Sequence, residues 1–208
     1  MADMEDTTVE YVVKDNRADM IAARDTLLAL LPALPIPVIG HSSTGIVQSG
    51  PNKGKRIRQR SETIGRIGRT CTFGYGKTRT KGYAEFVRNA RYPDVFKALI
   101  EYGNCVVPTG FFYNAITLNK GVQAKKHTDT LNVGKSVIVS FGSHTGGNLR
   151  VYSSETEYDA KDIRDRPLMF NGSLVPHETE PFEGDRWSII YYCQRRDTPI
   201  PGYTTIGN

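Results

Sequence analysis

The stretch KKHTDTLNVGKSVIVSF, residues 125–141, joins a polar segment to an apolar one. Its second half, from Ser136 to Phe141, is apolar and rich in β-branched side chains, which predicts a buried strand. His127 and Asp129 stand two positions apart just before that strand. Such a pair is either half of a metal site or an ordinary polar turn. The choice depends on whether a third ligand and a co-substrate anchor follow at a workable spacing.

Further short strands are predicted after residue 104, each bounded by turn residues. The segments are GFFYNAITLN (110–119), GGNLRVY (146–152), RPLMFNGSLVPH (166–177) and DRWSIIYYCQ (185–194). Several short strands with few helices between them are typical of a barrel made of two sheets. The sequence therefore predicts an α+β fold that is mainly β: a double-stranded β-helix, also called a jelly roll or cupin-like barrel.

Two helices are predicted before these strands. The first is RADMIAARDTLLALLPAL (17–34), which Asn16 can cap; the second is YPDVFKALIEYG, with Pro93 near its first turn and Gly103 after its end. We expect one domain over residues 1–208. Within it, 1–104 supplies N-terminal helices and basic loops, 105–193 the barrel core, and 194–208 a surface tail.

The third ligand candidate is His177, on a different predicted strand that a barrel can bring close. Two imidazoles and one carboxylate form the facial triad of non-haem Fe(II) oxygenases, which leaves open positions for a bidentate 2-oxo acid and dioxygen. Zinc and manganese are also compatible with these ligands. His41 and His144 have no carboxylate at ligand spacing, so we expect them to be ordinary loop histidines with satisfied hydrogen bonds.

An anchor for the far end of the oxo acid follows His177. Arg186 and Ser188 lie two positions apart on a predicted strand, so both side chains point to the same face. An arginine fork can grip a carboxylate through two bonds, and a serine hydroxyl can add another. This anchor favours iron with 2-oxoglutarate over a plain cupin metal site. The alternative is that Arg186 is a surface ion-pair partner of a nearby acid.

Charge is distributed unevenly along the chain, whose net charge is +5. Twelve Lys or Arg residues and two acids lie between Lys53 and Arg91, a local excess of ten positive charges. A polyanion such as a nucleic acid is the natural partner of this segment, and a solvated loop is the plainer alternative. The sequence shows no signal peptide and no apolar run that could span a bilayer. We therefore expect an intracellular protein whose three cysteines are reduced.

These residues resemble the 2-oxoglutarate/Fe(II) dioxygenase superfamily, and within it the TET/JBP-like branch that oxidises modified pyrimidines in DNA. The resemblance covers roughly residues 105–193 and includes Asn119, Asn132, the turn Gly146–Leu149 and the order His, Pro-Phe-x-Gly, Arg-x-Ser. It does not extend to 1–104, and the cysteine-rich zinc elements of the animal enzymes are missing. It implies that Fe(II), 2-oxoglutarate and O2 act together to hydroxylate a C–H bond.

The resemblance also implies roles for individual residues. His127, Asp129 and His177 would hold Fe(II), and Arg186, Ser188 and Asn119 would bind the co-substrate. The preferred substrate is the methyl group of a methylated pyrimidine in DNA, 5-methylcytosine or thymine. A base in duplex DNA must leave the stack to reach a buried iron. The residues expected to contact DNA are Asn132, Arg56, Arg58, Arg60, Phe73 and Tyr75, the aromatic ones by stacking on the displaced base.

Two alternatives remain open at this point. One keeps the enzyme and changes the substrate to a peptide or small molecule, as in prolyl hydroxylases. The other is a non-catalytic nucleic-acid-binding protein in which the His-x-Asp pair arose by chance. For each aromatic residue of the basic segment, core packing is the plainer interpretation. The oligomeric state is not encoded in any feature of the sequence that we can interpret.

Overall fold

The computed structural model describes residues 6–37, 64–66, 68–78 and 82–194 of the chain. The basic positions from Lys53 to Arg60 and the tail after Gln194 lie outside these ranges. The helices of the described residues are α1 (Arg17–Leu30), a short 3-10 helix (Leu31–Ala33), α2 (Val87–Arg91) and α3 (Pro93–Val106). The strands are β1 (Glu10–Tyr11), β2 (Ile64–Arg66), β3 (Arg69–Thr78), β4 (Gly82–Glu85), β5 (Ala115–Lys120), β6 (Gln123–Ala124), β7 (Ser136–Phe141), β8 (His144–Gly146), β9 (Leu149–Tyr152), β10 (Tyr158–Lys161), β11 (Leu168–Phe170), β12 (His177–Thr179), β13 (Phe182–Gly184) and β14 (Trp187–Tyr192).

The strands form two main layers. The larger sheet has the order β1-β11-β7-β14-β5-β3-β4, and β10-β9-β12 form a smaller sheet on the other side of a cavity. From β5 to β14 the chain passes repeatedly between the larger sheet and the smaller layer, and the pairs are antiparallel. This is the connectivity of a jelly roll. The predicted double-stranded β-helix is therefore confirmed.

The larger sheet separates a helical layer from the cavity. On β5, the side chains of Ile116 and Leu118 are fully buried and belong to the same apolar cluster as residues of α1 and α3. The intervening Thr117 and Asn119 line the cavity. Side chains alternate along a strand, so one face is available for the helices and the other for a binding site. Polar residues on the second face are therefore candidates for function rather than for packing.

Helix α3 begins at Pro93, as predicted, but it continues to Val106. The prediction that Gly103 follows the end of the helix is wrong, because Gly103 lies inside it. A Cβ at this position would lie 2.8 Å from the ring of Tyr191 and 2.9 Å from the hydroxyl of Tyr113. The glycine therefore permits close packing of α3 against β14 instead of ending the helix.

Asn16 stands immediately before α1, but its side chain makes no capping hydrogen bond to the helix. Its Nδ2 donates instead to the carbonyl oxygen of Cys105 at 3.2 Å. The predicted helix start is confirmed, while the predicted side-chain cap is wrong. This hydrogen bond links the beginning of α1 to the end of α3. A partner that is distant in the sequence thus replaces the local backbone N–H groups that a cap would bind.

The segment 166–177, predicted as one strand, forms two strands in different layers. A turn interrupts it: Asn171 accepts backbone hydrogen bonds from Leu174 and Val175, and its side chain accepts bonds from Ser173. Asparagine often makes such side-chain turns, which compete with strand pairing. The sequence analysis also did not predict strands β8, β10 and β13.

Within the described residues, no helix is long and apolar enough to cross a membrane.

Candidate active site

Backbone hydrogen bonds bring the two predicted histidine ligands together. His127 follows β6 and His177 begins β12, and the two residues form an isolated antiparallel bridge. The N–H of His127 donates to the carbonyl of His177 at 3.0 Å, and the reverse bond is 2.9 Å long. The N–H of Asp129 donates to the carbonyl of Gly172 at 2.8 Å. Main-chain pairing thus holds all three predicted ligands at the edge of the smaller layer.

The tautomer of each histidine follows from its hydrogen bond. Nδ1 of His127 lies 2.6 Å from the carbonyl oxygen of Lys125, and Nδ1 of His177 lies 2.9 Å from that of Val175. A carbonyl oxygen can only accept, so both Nδ1 atoms carry the proton when the rings are neutral. Each Nε2 then presents a lone pair, which is the usual arrangement of a metal-binding histidine.

Both Nε2 atoms face the carboxylate of Asp129. The distance from Nε2 of His127 to Oδ1 is 3.6 Å, and from Nε2 of His177 to Oδ2 it is 3.8 Å. One ligand atom from each residue lies within 4.8 Å of the others. Two imidazoles and one carboxylate fit Fe(II), which is the metal expected for this ligand set with open positions. The structure therefore brings together the three residues that the sequence predicted.

Burial and the neighbouring charges act differently on the two imidazoles. Burial lowers the pKa of His127, but the hydrogen bond and charge of Asp129 outweigh that effect and raise it overall. Burial lowers the pKa of His177, and the nearby His127 lowers it further. His177 is therefore neutral at physiological pH. A neutral imidazole is the form that binds a metal ion.

Asn132 and Gly172 are the neighbours of the Asp129 carboxylate. Nδ2 of Asn132 donates to Oδ2 at 3.2 Å, which orients the side chain. Asn132 was predicted to contact substrate; it lines the cavity, and its amide is engaged with the predicted metal ligand. On the other side, a Cβ at Gly172 would lie 3.1 Å from Oδ2 and 3.4 Å from Cε1 of His177. The sequence reasoning missed Gly172, whose lack of a side chain leaves room for the ligands.

The three ligands open onto a cavity of about 400 Å³ between the two sheets. This volume lies within the range of small-molecule sites, roughly 300–1,000 Å³. Asn119 and Ser188, both predicted to bind co-substrate, line the cavity and are neighbours on paired strands. Thr179 of β12, which was not predicted, lines it too. The cavity lining therefore includes hydroxyl and amide groups from both sheets, with Asn119 and Ser188 on the larger sheet and Thr179 on the same strand as His177.

Arg186 is buried beside this cavity, with a relative exposure of 2%. It is not a surface ion-pair partner: Nη2 donates to the carbonyl of Gly147 at 3.1 Å, and Nε has no hydrogen-bond partner among the residues that the structure describes. Burial lowers the pKa of Arg186 to about 10, so the guanidinium stays charged at neutral pH. Arg186 does not itself line the cavity, while Ser188, two residues further along, does. A buried cation without an acidic partner in the described chain is suited to an anionic ligand.

Not every predicted DNA contact is compatible with the fold. Phe73 is fully buried and stacks on Phe96, with ring centroids 5.9 Å apart. Its predicted role in stacking on a base is therefore wrong, because it lies on the helical face of the larger sheet. Tyr75 is half-buried and donates its hydroxyl to the carbonyl of Tyr83 at 2.7 Å. The roles of Arg56, Arg58 and Arg60 stay predictions, since these residues lie outside the described ranges.

His144 also differs from its prediction. It is 5% exposed, and Nδ1 lies 3.1 Å from the carbonyl of Gly146, but Nε2 is buried and no described residue pairs with it. It is therefore not a satisfied loop histidine. Burial lowers its pKa, and the charges of Arg186 and Arg164 lower it further. No sequence pattern marked this residue, because its neighbours are distant along the chain.

Comparison with solved structures identifies proteins of similar fold. The chain is similar to an oxidoreductase of the 2OG-Fe(II) oxygenase family from Burkholderia pseudomallei, with a TM-score of 0.54, 12% identity, and coverage of 90% of this chain and 85% of that one. The chain has the fold of the 2-oxoglutarate-Fe(II) oxygenases. No protein-family model and no curated protein matches the sequence.

Two further similarities are weaker. A prolyl-4-hydroxylase from Pseudomonas putida has a TM-score of 0.46 and 13% identity, covering 90% of this chain and 92% of that one. NgTET1 in complex with 5mC DNA has a TM-score of 0.44 and 14% identity, covering 60% of each chain. These two similarities do not single out one branch of the superfamily.

Proposed function

We propose that this protein is an Fe(II)- and 2-oxoglutarate-dependent dioxygenase that hydroxylates a C–H bond. The observation that carries the proposal is the convergence of two Nε2 lone pairs and one carboxylate at a cavity beside a buried arginine, which has no acidic partner within the described ranges. Metal ligands alone would suit several enzymes. Arg186 adds a buried positive charge that has no acidic partner among the described residues. This charge suits an anionic co-substrate such as a dicarboxylic oxo acid.

The residues of the chain divide the task. His127, Asp129 and His177 hold the metal, and the carbonyls of Lys125 and Val175 fix the two imidazoles. Bound Fe(II) and 2-oxoglutarate would supply the chemistry by which dioxygen oxidises a C–H bond, with succinate and CO2 as by-products. The far carboxylate of the co-substrate would bind Arg186 and Ser188, with Asn119 beside them. The apolar side chains that line the cavity, Ile138 and Leu149 among them, limit access of water.

The substrate that we propose is the methyl group of a methylated pyrimidine in DNA. Support comes from the excess of ten positive charges between Lys53 and Arg91, together with a cavity of sufficient volume beside the metal ligands. If about five phosphates are contacted, the logarithm of the DNA-binding constant should fall with the logarithm of salt concentration at a slope of roughly −4 to −5. A DNA affinity that does not change with salt would contradict this substrate.

The proposal is tested by incubating the pure protein with Fe(II), 2-oxoglutarate, dioxygen and methylated duplex DNA. Nucleosides are measured by mass spectrometry and succinate is measured in parallel. We expect a hydroxylated pyrimidine and succinate, and we expect neither from the His127→Ala or Asp129→Ala variants. Asp159→Ala is the matched control, since this exposed acid of β10 lies away from the cavity. Absence of succinate with every substrate offered would refute the proposed dioxygenase activity.

The same experiment separates the other candidate functions. Succinate formation that is not stimulated by DNA would favour a prolyl-hydroxylase-like enzyme acting on a peptide or small molecule. DNA binding that survives the Asp129→Ala substitution, without succinate in the parent protein, would favour a non-catalytic DNA-binding protein. The two outcomes differ in succinate yield, so one set of measurements decides between them.

A further inference from the structure

The guanidinium of Arg186 is held by the β8 turn and the neighbouring β13. The carbonyl of Gly147 accepts a hydrogen bond from Nη2 at 3.1 Å, and the centre of the guanidinium lies 5.3 Å from the ring of Phe182 on β13. Strand β13 pairs with β8, which begins at His144. The small two-stranded sheet β8-β13 and the turn that follows β8 therefore supply the surroundings of the buried cation.

Gly147 has a conformation and a position that a side chain would disturb. Its φ is +76°, and a Cβ would lie 2.7 Å from Nε and 2.9 Å from Cδ of Arg186. It would also lie 3.1 Å from Cβ of Phe182. The atoms that would give way first belong to the long side chain of Arg186. The glycine thus allows the backbone to approach the guanidinium closely enough to accept its hydrogen bond.

His144 completes this environment with an unused acceptor. The carbonyl of Gly146 fixes the proton on Nδ1, so the buried Nε2 carries a lone pair, for which the described residues supply no partner. Nε of Arg186 is a buried donor that also has no partner in the described part of the chain. Unmatched buried donors and acceptors are costly, and the charge of Arg186 is close enough to His144 to lower its pKa, so we expect these two atoms to pair. Neutral His144 is the form that can accept, and burial favours it.

We propose that Gly147 and His144 are positioning residues that set the place of the Arg186 guanidinium, and thereby the affinity for the dicarboxylic co-substrate. Gly147 fixes Nη2 through its carbonyl, and His144 anchors the Nε side of the fork. The remaining N–H groups are then free for the far carboxylate. This inference rests on the proposed function, because it assumes that Arg186 binds 2-oxoglutarate.

The test measures binding rather than turnover. Mn(II) and then 2-oxoglutarate are titrated into the protein by calorimetry without dioxygen. We expect Gly147→Ala to weaken 2-oxoglutarate binding by about tenfold to a hundredfold while the Mn(II) affinity is unchanged, because displacing an anchor by about 1 Å has effects of this size. Gly110→Ala is the matched control: its φ is +77°, yet no atom lies within 4 Å of the added Cβ. It carries the same backbone strain without the contact.

His144 variants provide an independent test if Gly147→Ala does not fold. His144→Leu removes the acceptor and His144→Gln can replace it, so we expect weak binding for the first variant and partial recovery for the second. Equal 2-oxoglutarate affinity in the parent, Gly147→Ala and His144→Leu proteins would overturn this inference and leave the proposed function intact. A parallel loss of Mn(II) and 2-oxoglutarate binding would also overturn it, since it would indicate general damage. Failure of the parent protein to bind 2-oxoglutarate with Mn(II) would instead refute the proposed function.

Discussion

Replacing Arg186 by Met should stabilise the fold and abolish co-substrate binding at the same time. The pKa of Arg186 falls from 12.5 to about 10 through burial. A difference of this size means that burial disfavours the charged side chain by about 3 kcal/mol. Methionine has a similar length and carries no charge, so this cost disappears. The loss of the hydrogen bond to Gly147 destabilises the variant by about 1–2 kcal/mol and so offsets part of this gain.

The expected net stabilisation is therefore about 1–2 kcal/mol, which raises Tm by roughly 3–6 °C in a domain of this length. In the same variant, 2-oxoglutarate should bind at least about a hundredfold more weakly, because a buried charged partner of the carboxylate is lost. Thermal unfolding with and without Mn(II) and 2-oxoglutarate measures both effects. The co-substrate should raise Tm in the parent protein and leave that of Arg186→Met unchanged.

Arg150→Met is the matched control, because Arg150 is an arginine with acidic partners. Its Nε lies 2.9 Å from Glu180 and its Nη1 lies 3.0 Å from Glu178. Removing it should lower Tm slightly and leave 2-oxoglutarate binding intact. The reasoning would be refuted if Arg186→Met were less stable than the parent protein, or if it still bound 2-oxoglutarate with the parent affinity.

Three further substitutions test other parts of the structure. Asn132→Ala should weaken Mn(II) binding about tenfold by freeing the carboxylate of Asp129, and an unchanged affinity measured by calorimetry would contradict this role. Phe73→Ala should lower the free energy of unfolding by about 3–5 kcal/mol in urea titrations, while DNA affinity of the folded protein stays the same. Gly103→Ala should cost about 1–3 kcal/mol by collision with Tyr191, although alanine favours helices; a gain in stability would show that the contact relaxes.

Several elements were predictable because their signals are local. Strand β7 has six consecutive buried residues, and its apolar, β-branched composition is visible in the sequence. Ser188 lies on a predicted strand, β14, and lines the cavity, whereas Arg186 stands just before that strand begins at Trp187 and does not line the cavity with it. The spacing of His127 and Asp129 is likewise a local signal. Local periodicity and side-chain chemistry are sufficient for such inferences.

Other features could not be predicted because they depend on distant partners. Phe73 lies in a basic segment, yet its direction is set by the pairing of β3 with β5, in which Phe73 is opposite Ile116 on the helical face. The turn at Asn171 is different: the pair Asn171-Gly172 is a local turn signal, and the prediction of one continuous strand overlooked it. His144 is buried because β8 pairs with β13, a strand that is distant along the chain.

The sequence by itself determined the chemical inventory of this protein: two histidines, an acid and an arginine on strand-forming segments, and a strongly basic segment before them. Only the tertiary structure decided that the His127 and His177 main chains pair, that both imidazoles point Nε2 at Asp129, and that Arg186 is buried with no acid of the described chain beside it. The physical reason is the range of each effect. Residue chemistry and strand periodicity act over a few positions, whereas burial, hydrogen-bond partners and pKa depend on segments that meet only when the two sheets close.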